Sequence, residues 1–410
     1  MTIDSDPPAR VDPDMELPGP PDPWVGSSQP SPRSGFPYHM TDMILAEPAL
    51  AERILHRLAG AGRDVGRGAV GEFTDAIKQV AKRGEPIIMT GCGTSEHAAQ
   101  AVAAILFEAL ASASPAGALP PDSAQAFELS LDPPARGLVI GISHEGGTAM
   151  TNAALGAARA AGAKTALITS SRRSPGAALA DVVVETQELD QSWCHTVGYL
   201  SPIVAAHAVA AQLRGSPVDA TQIRSIRDLL AAGVRQSIEA EAMAARLAGV
   251  ERILVVASGA DRPAGRELVL KIEEGTWIPA AYRDLETLLH GHLASTDKTN
   301  GLVVILTDRD RLPERSKRAR GVLAAAGVIG MPAGAILSAA ASDAIPSDLT
   351  PAGRFVVPDA PELPRAVAAL IGSVTALQLL TERLARARGV DPDAIHRDVD
   401  RYREAADAAD

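Results

Sequence analysis

A strand–turn–helix pattern occurs twice in this chain, about 165 residues apart, and this duplication limits the possible folds more than any other sequence feature. The stretch GLVIGISHEG returns as GLVVILTDRD, and AARAAGAKTAL returns as ARGVLAAAGVIGM. Three glycines serve as anchors for the comparison: Gly93, Gly137 and Gly162 correspond to Gly259, Gly301 and Gly327, at separations of 166, 164 and 165 residues. Three anchors that agree this closely predict a tandem duplication.

Within each copy, short and nearly continuous apolar runs alternate with alanine-rich helical segments, as in EPIIMTGCG followed by SEHAAQAVAAILFEAL. Strands that are apolar along their whole length indicate a parallel sheet covered on both faces. We therefore predict an α/β protein of two tandem doubly wound units, each a three-layer α/β/α sandwich. The predicted organisation is a disordered Pro-rich tail (1–37), a helical segment (38–68), a first unit (69–215), a second unit (235–385) and a C-terminal tail (386–410).

Composition narrows the function classes. The formal net charge is −11, which gives no basic footprint for nucleic acid or an anionic membrane. No apolar run reaches transmembrane length, and the N-terminus lacks the features of a signal peptide. The chain has two cysteines, which suits a reducing compartment, so we expect a cytoplasmic protein. The histidines around His290 and His292 have no acidic or thiol partner at ligand spacing, so we expect no metal and no other cofactor.

Two glycine-rich turns follow neighbouring strands of the first copy, and both carry hydroxyl side chains at the start of a helix. The first contains Thr94 and Ser95, and the second contains Ser143 and Thr148. Free N–H groups at a helix N-terminus favour anions, and glycine allows a ligand to approach the backbone closely. From the residues alone, an anion site and simple helix capping both remain open.

These motifs resemble the sugar isomerase (SIS) domain family, in particular tandem SIS proteins such as the isomerase half of glutamine–fructose-6-phosphate aminotransferase. The family's first loop, C-G-T-S, is matched by Cys92, Gly93, Thr94 and Ser95, and its second, S-x-S-G-x-T, by Ser143, Gly146 and Thr148. The resemblance implies that these hydroxyls and amides bind a sugar phosphate. No match to the glutaminase half is expected in the first 37 residues.

One residue departs from the family pattern: Glu145 stands where the family has its middle serine. A carboxylate close to a phosphate repels it or takes up a proton. Either Glu145 turns away, or the ligand offers a hydroxyl or an amine there. A protonated His144 beside it would offset the charge.

The second copy supplies the candidate catalytic residues. Spacings of four and three place Glu267, Lys271 and Glu274 on one helix face, and a solvated stripe of ion pairs would have the same spacing. The family has a catalytic Glu preceded by a Lys three residues earlier and followed by a His sixteen residues later, which Lys271, Glu274 and His290 match. The resemblance implies that Glu274 moves a proton between C1 and C2, that His290 assists ring opening in the neighbouring subunit's site, and that the protein is a homodimer.

A third stretch, DQSWCHTVGYL, falls where the family has a loop that closes over the sugar. Trp193 and His195 are larger than the family's residues and would narrow the pocket or reach another substituent. A strand-to-helix turn with a buried tryptophan is the other interpretation. In the C-terminal tail, Asp400 stands where related tails carry a lysine for Schiff-base formation.

The sequence thus predicts a cytoplasmic enzyme acting on an amino-sugar or keto-sugar phosphate, as an isomerase or deaminase, with a small-molecule substrate as its ligand. Two alternatives stay open. One is a non-catalytic SIS protein that senses a sugar phosphate, and the other is an aminotransferase that takes ammonia from a separate partner.

Overall fold

The computed structural model describes residues 10–60, 68–113 and 118–409. A long helix, α1 (His39–Gly60), precedes the first unit. The strands of that unit are β1 (Ile87–Thr90), β2 (Asp122–Ser123), β3 (Leu138–Ile142), β4 (Lys164–Thr169) and β5 (Val182–Glu185). Its helices are α2 (Ala69–Lys82), α3 (Thr94–Ala113), α4 (Ala126–Leu131), α5 (Ala149–Ala161) and α6 (Val197–Leu213).

The first sheet has the order β2-β1-β3-β4-β5, and each of its strand pairs is parallel. All five residues of β3, the central strand, are buried, as expected for a strand covered by helices on both faces. The order reverses between β1 and β3. In open parallel sheets this reversal leaves a crevice at the carboxyl ends of the two strands.

The second unit repeats this arrangement. Its strands are β6 (Arg252–Ala257), β7 (Ala280–Asp284), β8 (Asn300–Leu306), β9 (Ala333–Ser338) and β10 (Gly353–Val357). Its helices, with those that lead into it and follow it, are α7 (Ala220–Val234), α8 (Ser237–Leu247), α9 (Arg262–Thr276), α10 (Leu285–Leu289), α11 (Leu312–Ile329), α12 (Ala339–Ala344), α13 (Arg365–Arg388) and α14 (Asp400–Asp407). The sheet order, β7-β6-β8-β9-β10, is that of the first sheet element by element, and all pairs are parallel. The predicted fold class and duplication are confirmed.

Helices of the two units pack against each other across the boundary between the units. Helix α3 of the first unit packs on α9 of the second, and α13 contacts α1, α3 and α6 as well as α7, α8 and α9. The side chain of Glu108, on α3, accepts hydrogen bonds from the first amides of α13, at 3.0 Å from Arg365 N and 2.7 Å from Ala366 N. A carboxylate at this position satisfies amides that have no acceptor within their own helix. Among the described residues, α13 is the one helix whose length and apolar composition would suit a membrane span, and its whole apolar window is buried inside the protein.

The N-terminal segment, residues 10–37, differs from the predicted disordered tail. It forms neither helix nor strand, but it follows a defined path along the first unit. Leu17 is buried in the main core, and its amide donates to Glu188 Oε2 at 3.1 Å. The amide of Leu189 in turn donates to Pro18 O at 2.9 Å. A few widely spaced anchors therefore hold a segment whose average composition is that of a disordered chain; residues 1–9 lie outside the described part.

His207 on α6 provides a pH-dependent test of this core. The residue is fully buried, and neither ring nitrogen has a hydrogen-bond partner among the described residues. Burial, together with the nearby Arg214 charge, lowers the pKa of His207 to about 4. Because the unfolded chain then takes up the proton first, the stabilising contribution is complete above about pH 6.5 and is lost as the pH falls through about 4. Between about pH 6.5 and 4, the unfolding free energy of His207→Leu should therefore fall by about 3 kcal/mol less than that of wild type. Urea denaturation at several pH values across this range measures the difference.

The exposed His56 on α1 supplies a matched control. His56→Leu makes the same replacement outside the core, so it shows what a His→Leu change does without the buried site. If the His207→Leu curve runs parallel to the wild-type curve instead, His207 does not titrate between these limits.

Candidate functional site

A cavity of about 410 Å³ lies at the carboxyl ends of β1 and β3, where the order of the first sheet reverses. Loops from the first unit, helix α9 of the second unit and both chain-terminal segments line it. Of the residues predicted from the sequence, those lining the cavity are Cys92, Gly93, Thr94, Ser95, His144, Glu145, Thr148, Trp193, His195 and Glu274. Ser143, Gly146 and Lys271 lie behind this lining, and His290 is elsewhere on the surface.

The first loop is held in a tight turn by its glycines. A side chain at Gly91 would come within 2.6 Å of the backbone of Ser95, and Gly93 has a left-handed φ of 56°. The turn allows α3 to begin immediately, with Ser95 N donating to Cys92 O at 3.1 Å. The hydroxyl of Thr94 is turned toward the second unit, where it donates to Glu267 Oε1 at 3.2 Å. The Ser95 hydroxyl has no such partner among the described residues, and Ser95 lines the cavity.

The second loop is organised by its own hydroxyls. Ser143 Oγ accepts from Gly146 N at 3.1 Å and lies 3.2 Å from Thr148 Oγ1. A Cβ at Gly146 would come within 2.0 Å of Ser174 Oγ, so this position requires glycine. Thr148 is the N-cap of α5, whose first amides have no acceptor within the helix. The loop thus presents Thr148 and a helix N-terminus to the cavity, which is a suitable arrangement for an oxyanion.

His144 does not carry the compensating charge that the sequence suggested. Its Nε2 accepts a hydrogen bond from Asp190 N at 2.9 Å, which requires an unprotonated nitrogen. Burial, with a further effect of the neighbouring His195, lowers the pKa of His144 to about 4. His144 is therefore neutral at physiological pH, because protonation would break this bond and bury a charge.

Glu145 turns away from the place that a family serine would occupy. Its Oε2 accepts from Ser27 N at 2.9 Å, and its backbone oxygen accepts from Trp24 Nε1 at 3.1 Å. The sequence left two possibilities for this carboxylate, that it turns away or that the ligand offers it a hydroxyl or an amine. The structure shows the carboxylate turned to the N-terminal segment. The charge of Glu145 is directed to the N-terminal segment instead of toward a ligand held by the second loop.

Asp190 shapes the third wall of the cavity. Its two carboxylate oxygens accept from three backbone amides, Ser192 N at 3.0 Å on Oδ1 and Thr196 N and Gly198 N at 2.7 and 3.1 Å on Oδ2. Burial opposes its ionisation, but the neighbouring His195 and the backbone hydrogen bonds lower its pKa to about 2. The ordered loop brings Trp193 and His195 to the cavity, and Asp190 outweighs burial to raise the pKa of His195.

A buried ion-pair cluster lies on α9 beside the cavity. Lys271 Nζ is 2.6 Å from Glu274 Oε2 and 3.6 Å from Glu267 Oε1. Glu267 also lies 2.8 Å from His97 Nδ1 of the first unit. Lys271 and Glu267 are fully buried, so the cluster is not a solvated stripe, and only Glu274, with 23 % of its side chain exposed, reaches the cavity. Burial opposes the charge of Lys271, but the carboxylates raise its pKa well above the usual value, and Lys271 in turn lowers that of Glu267.

Two predicted residues lie away from the cavity of this chain. The His290 side chain is 72 % exposed and lies 2.7 Å from Glu286 on α10. Asp400 begins α14, is largely exposed and pairs with Arg403 at 2.6 Å. The structure does not bring either residue to Glu274 within one chain.

The corresponding crevice of the second unit is filled by the chain's own carboxylates. Asp308 Oδ2 accepts from Ala260 N at 2.9 Å, at the turn after β6. Asp261 accepts from Thr307 N and Asp308 N, at 2.7 and 2.9 Å, and burial raises its pKa to about 6. Internal acids thus occupy the amides that would otherwise be free for an anion, which leaves the first copy as the candidate site.

Sequence reasoning did not identify the five terminal-segment residues that line the cavity: Trp24, Gly26 and Ser27 from the N-terminal segment, and Ile395 and Arg397 from the C-terminal segment. The guanidinium of Arg397 lies 5.4 Å from the centre of the Trp193 ring. Both segments have the composition of polar tails. No local motif in them predicts a contact with loops more than 100 residues away. The tryptophan and arginine themselves were the available signal, since these residue types are common in binding sites.

Comparison with known proteins agrees with the fold. Residues 80–213, nearly all of the first unit, match the SIS domain family. A glutamine–fructose-6-phosphate aminotransferase (isomerizing) from Gloeobacter violaceus is 33% identical over 174 residues, which are 40% of this chain and 27% of that protein. The matched stretch thus spans about a quarter of the relative's length.

Solved structures share the whole two-unit fold. The C-terminal domain of glucosamine-fructose-6-phosphate aminotransferase from Francisella tularensis has a TM-score of 0.73 at 19% identity, covering 88% of this chain and 99% of that one. Tagatose-6-phosphate ketose/aldose isomerase from Escherichia coli has 0.68 at 20% identity, covering 89% and 98%. Glucosamine-6-phosphate deaminase from Thermotoga maritima has 0.57 at 15% identity, covering 84% and 96%. At these identities the likeness is one of fold.

The role of Asp190 in shaping the site can be tested by Asp190→Asn. Because both oxygens of Asp190 accept backbone amides, an asparagine would turn its own N–H group toward one of these donors. We expect a loss of about 2–4 kcal/mol in unfolding free energy, measured by urea denaturation. Asp219 is the matched control: it caps α7 through a single oxygen, which accepts both Thr221 N and Gln222 N. Asp219→Asn should change stability by less than about 0.5 kcal/mol, and equal losses for the two variants would contradict the assigned role.

Proposed function

We propose that this SIS-domain protein is an enzyme that transfers a proton between C1 and C2 of an open-chain sugar phosphate, as an isomerase or a deaminase. The observation that carries the proposal is the placement of Glu274 and Lys271. A carboxylate at the cavity wall is held at 2.6 Å by a buried ammonium, opposite two loops suited to an oxyanion. Such an arrangement fixes both ends of a small anionic substrate.

The proton transfer follows from this geometry. The Glu274 carboxylate accepts a proton from the carbon next to the carbonyl, which leaves an enediolate. A proton then moves from the neighbouring hydroxyl oxygen to the former carbonyl oxygen, and Glu274 returns its proton to the former carbonyl carbon. Lys271 remains an ammonium throughout, because its raised pKa keeps it protonated. It therefore orients the Glu274 carboxylate while Lys271 itself takes no part in proton exchange. A positioned acid–base group of this kind contributes about 10²- to 10⁴-fold in rate.

The phosphate end of the substrate is assigned to the first copy. Ser95, Thr148 and the amides at the start of α5 supply hydrogen-bond donors, and Arg397 supplies a positive charge at the cavity wall. Arginine suits this role because its planar donors match phosphate oxygens. The Glu145 carboxylate accepts the Ser27 amide, so this bond holds it at the part of the cavity wall that the N-terminal segment forms.

Ring opening is assigned to His290 of a second copy of the chain. His290 is exposed and lies outside the cavity of its own chain, so it can assist only if a partner subunit carries it to the site. The homodimer is therefore part of the proposal. The solved structures with this fold include proteins named as an isomerase and as a deaminase, so substrates of both kinds belong in the test.

The central prediction concerns Glu274→Gln. The amide keeps the shape and the bond to Lys271 but cannot accept the proton, so turnover should fall by about 10²- to 10⁴-fold while substrate binding persists. Turnover of fructose 6-phosphate, tagatose 6-phosphate and glucosamine 6-phosphate would be followed by product chromatography, and binding by calorimetry. Glu273→Gln is the matched control, because Glu273 is the exposed neighbour on the same helix and should leave turnover unchanged. Binding by wild-type protein without turnover of any of these sugars would instead favour a sensor of sugar phosphates.

Mixed dimers test the assignment of His290. Neither Glu274→Gln nor His290→Asn protein is expected to be active with closed-ring substrate. After subunit exchange, one site of each mixed dimer would combine intact Glu274 and intact His290, so activity should return to at most about half of wild type per mixed dimer. Exchange is verified by mass spectrometry of the intact dimers, and mixed dimers as inactive as their parents would place His290 outside the partner's site.

A further inference from the structure

The N-terminal segment contributes directly to the cavity and does not simply cross the surface. Trp24, Gly26 and Ser27 line the same cavity as Ser95, Thr148 and Glu274. Farther from the site, Leu17 is inserted in the main core, and Arg53 and Arg57 bind Glu188 at 2.7 Å each, next to the point where Glu188 accepts the Leu17 amide. The segment is therefore fixed on one side before it reaches the cavity.

Trp24 is seated on the second loop through several contacts. Its indole N–H donates to Glu145 O, and a Cβ at Gly147 would lie 2.8 Å from the Cζ2 and Cη2 atoms of the ring. Gly147 thus leaves the space that the six-membered ring occupies. Three residues after Trp24, the amide of Ser27 donates to the carboxylate of Glu145. Gly147 and the backbone oxygen of Glu145 thus contact the Trp24 ring, and the Glu145 carboxylate binds the backbone of the segment.

A second cavity of about 520 Å³ lies behind this contact, between the N-terminal segment and the Leu189–Trp193 loop. It shares Gly26, Ser27 and Trp193 with the first cavity. The segment around Ser27 is thus a thin partition with space on both sides. The Glu145–Ser27 bond helps to fix this partition, together with the bond from Trp24 Nε1 to Glu145 O.

From these contacts we propose that the N-terminal segment is a wall of the substrate site, with Trp24 as a specificity-determining residue and Glu145 as the residue that positions the segment. Trp24 lines the cavity together with Trp193, and an aromatic ring with an amphipathic edge suits the C–H face of a sugar. Glu145 acts through the segment and does not touch the substrate. The role of Trp24 rests on the proposed function, whereas the role of Glu145 as a tether does not.

The choice of glutamate over serine at position 145 then has a physical reason. Only the longer side chain reaches Ser27 N, and a bond to a charged acceptor is stronger than one to a neutral acceptor. Glu145→Ser, which restores the family residue, is therefore expected to release the segment. Glu145→Gln keeps an amide oxygen that can accept from Ser27 N, so it should hold the segment partly.

Chymotrypsin tests the tether without any substrate. The bond after Trp24 is followed by Val25 and is open to cleavage only when the ring leaves Gly147. We expect cleavage after Trp24 to be at least about tenfold faster in Glu145→Ser than in wild type, since loss of a charge-assisted bond raises the released population by about that factor. Glu145→Gln should give an intermediate rate. Glu185→Ser removes a carboxylate that binds Arg172 N on the same unit and should give the wild-type rate.

Calorimetry with fructose 6-phosphate and glucosamine 6-phosphate tests the wall. We expect Trp24→Ala to weaken binding about tenfold and to raise KM with little change in kcat, because the ring contacts the sugar in ground and transition states alike. Met15→Ala, at an exposed position of the same segment, should bind both sugars as wild type does.

The outcomes separate the two proposals. Equal chymotrypsin rates in wild type and Glu145→Ser would overturn the tether. Equal affinities in wild type and Trp24→Ala would overturn the wall and leave the proposed function standing. If wild-type protein binds and converts neither sugar phosphate, the proposed function is overturned together with the role of Trp24, and the cleavage rates still decide the role of Glu145.

Discussion

The ammonium of Lys271 is the interaction on which the arrangement of the site depends. A fully buried charge is tolerated only when it is paired, and Lys271 is paired on both sides, with Glu267 and with Glu274. Glu267 then extends the pairing across the boundary between the units, to Thr94 and His97. Removing one partner of such a buried pair costs about 3–5 kcal/mol in other proteins. The same charges that place Glu274 at the cavity therefore also fix the first binding loop against the second unit.

Duplication explains why the chain has a site that neither copy provides alone. Both units have the crevice of a doubly wound sheet, but in the second unit Asp261 and Asp308 fill it and bind the amides there. That unit instead contributes α9, which faces the open crevice of the first. The two copies have thus diverged into one that offers hydrogen-bond donors and one that offers a carboxylate, although their strand orders remain the same.

The sequence was sufficient for the parts of the structure that are set by short-range pattern. Apolar strands, glycine turns and helix starts predicted both sheets and both loops, and the spacing of Lys271 and Glu274 predicted that they meet. The sequence was insufficient where a single long-range contact sets the orientation or the protonation state of a side chain. The turn of Glu145 toward Ser27 joins residues 118 positions apart, and the neutral state of His144 depends on one amide from Asp190. The N-terminal segment was predicted to be disordered from its average composition, yet Leu17 and Trp24, two residues among many prolines, are enough to place it.

Helix α13 affects how the chain can fold as it is synthesised. It lies near the end of the sequence, but it covers α1 and α6 beside the first unit, and its first amides are bound by Glu108 of α3. The faces of α1 and α6 that α13 covers therefore stay exposed until residue 388, the last of α13, has left the ribosome. A nascent chain that carries the complete first sheet still exposes the parts of α1 and α6 that α13 covers in the folded protein. The two units are distinct in topology, but their final packing requires α13, which contacts helices of both.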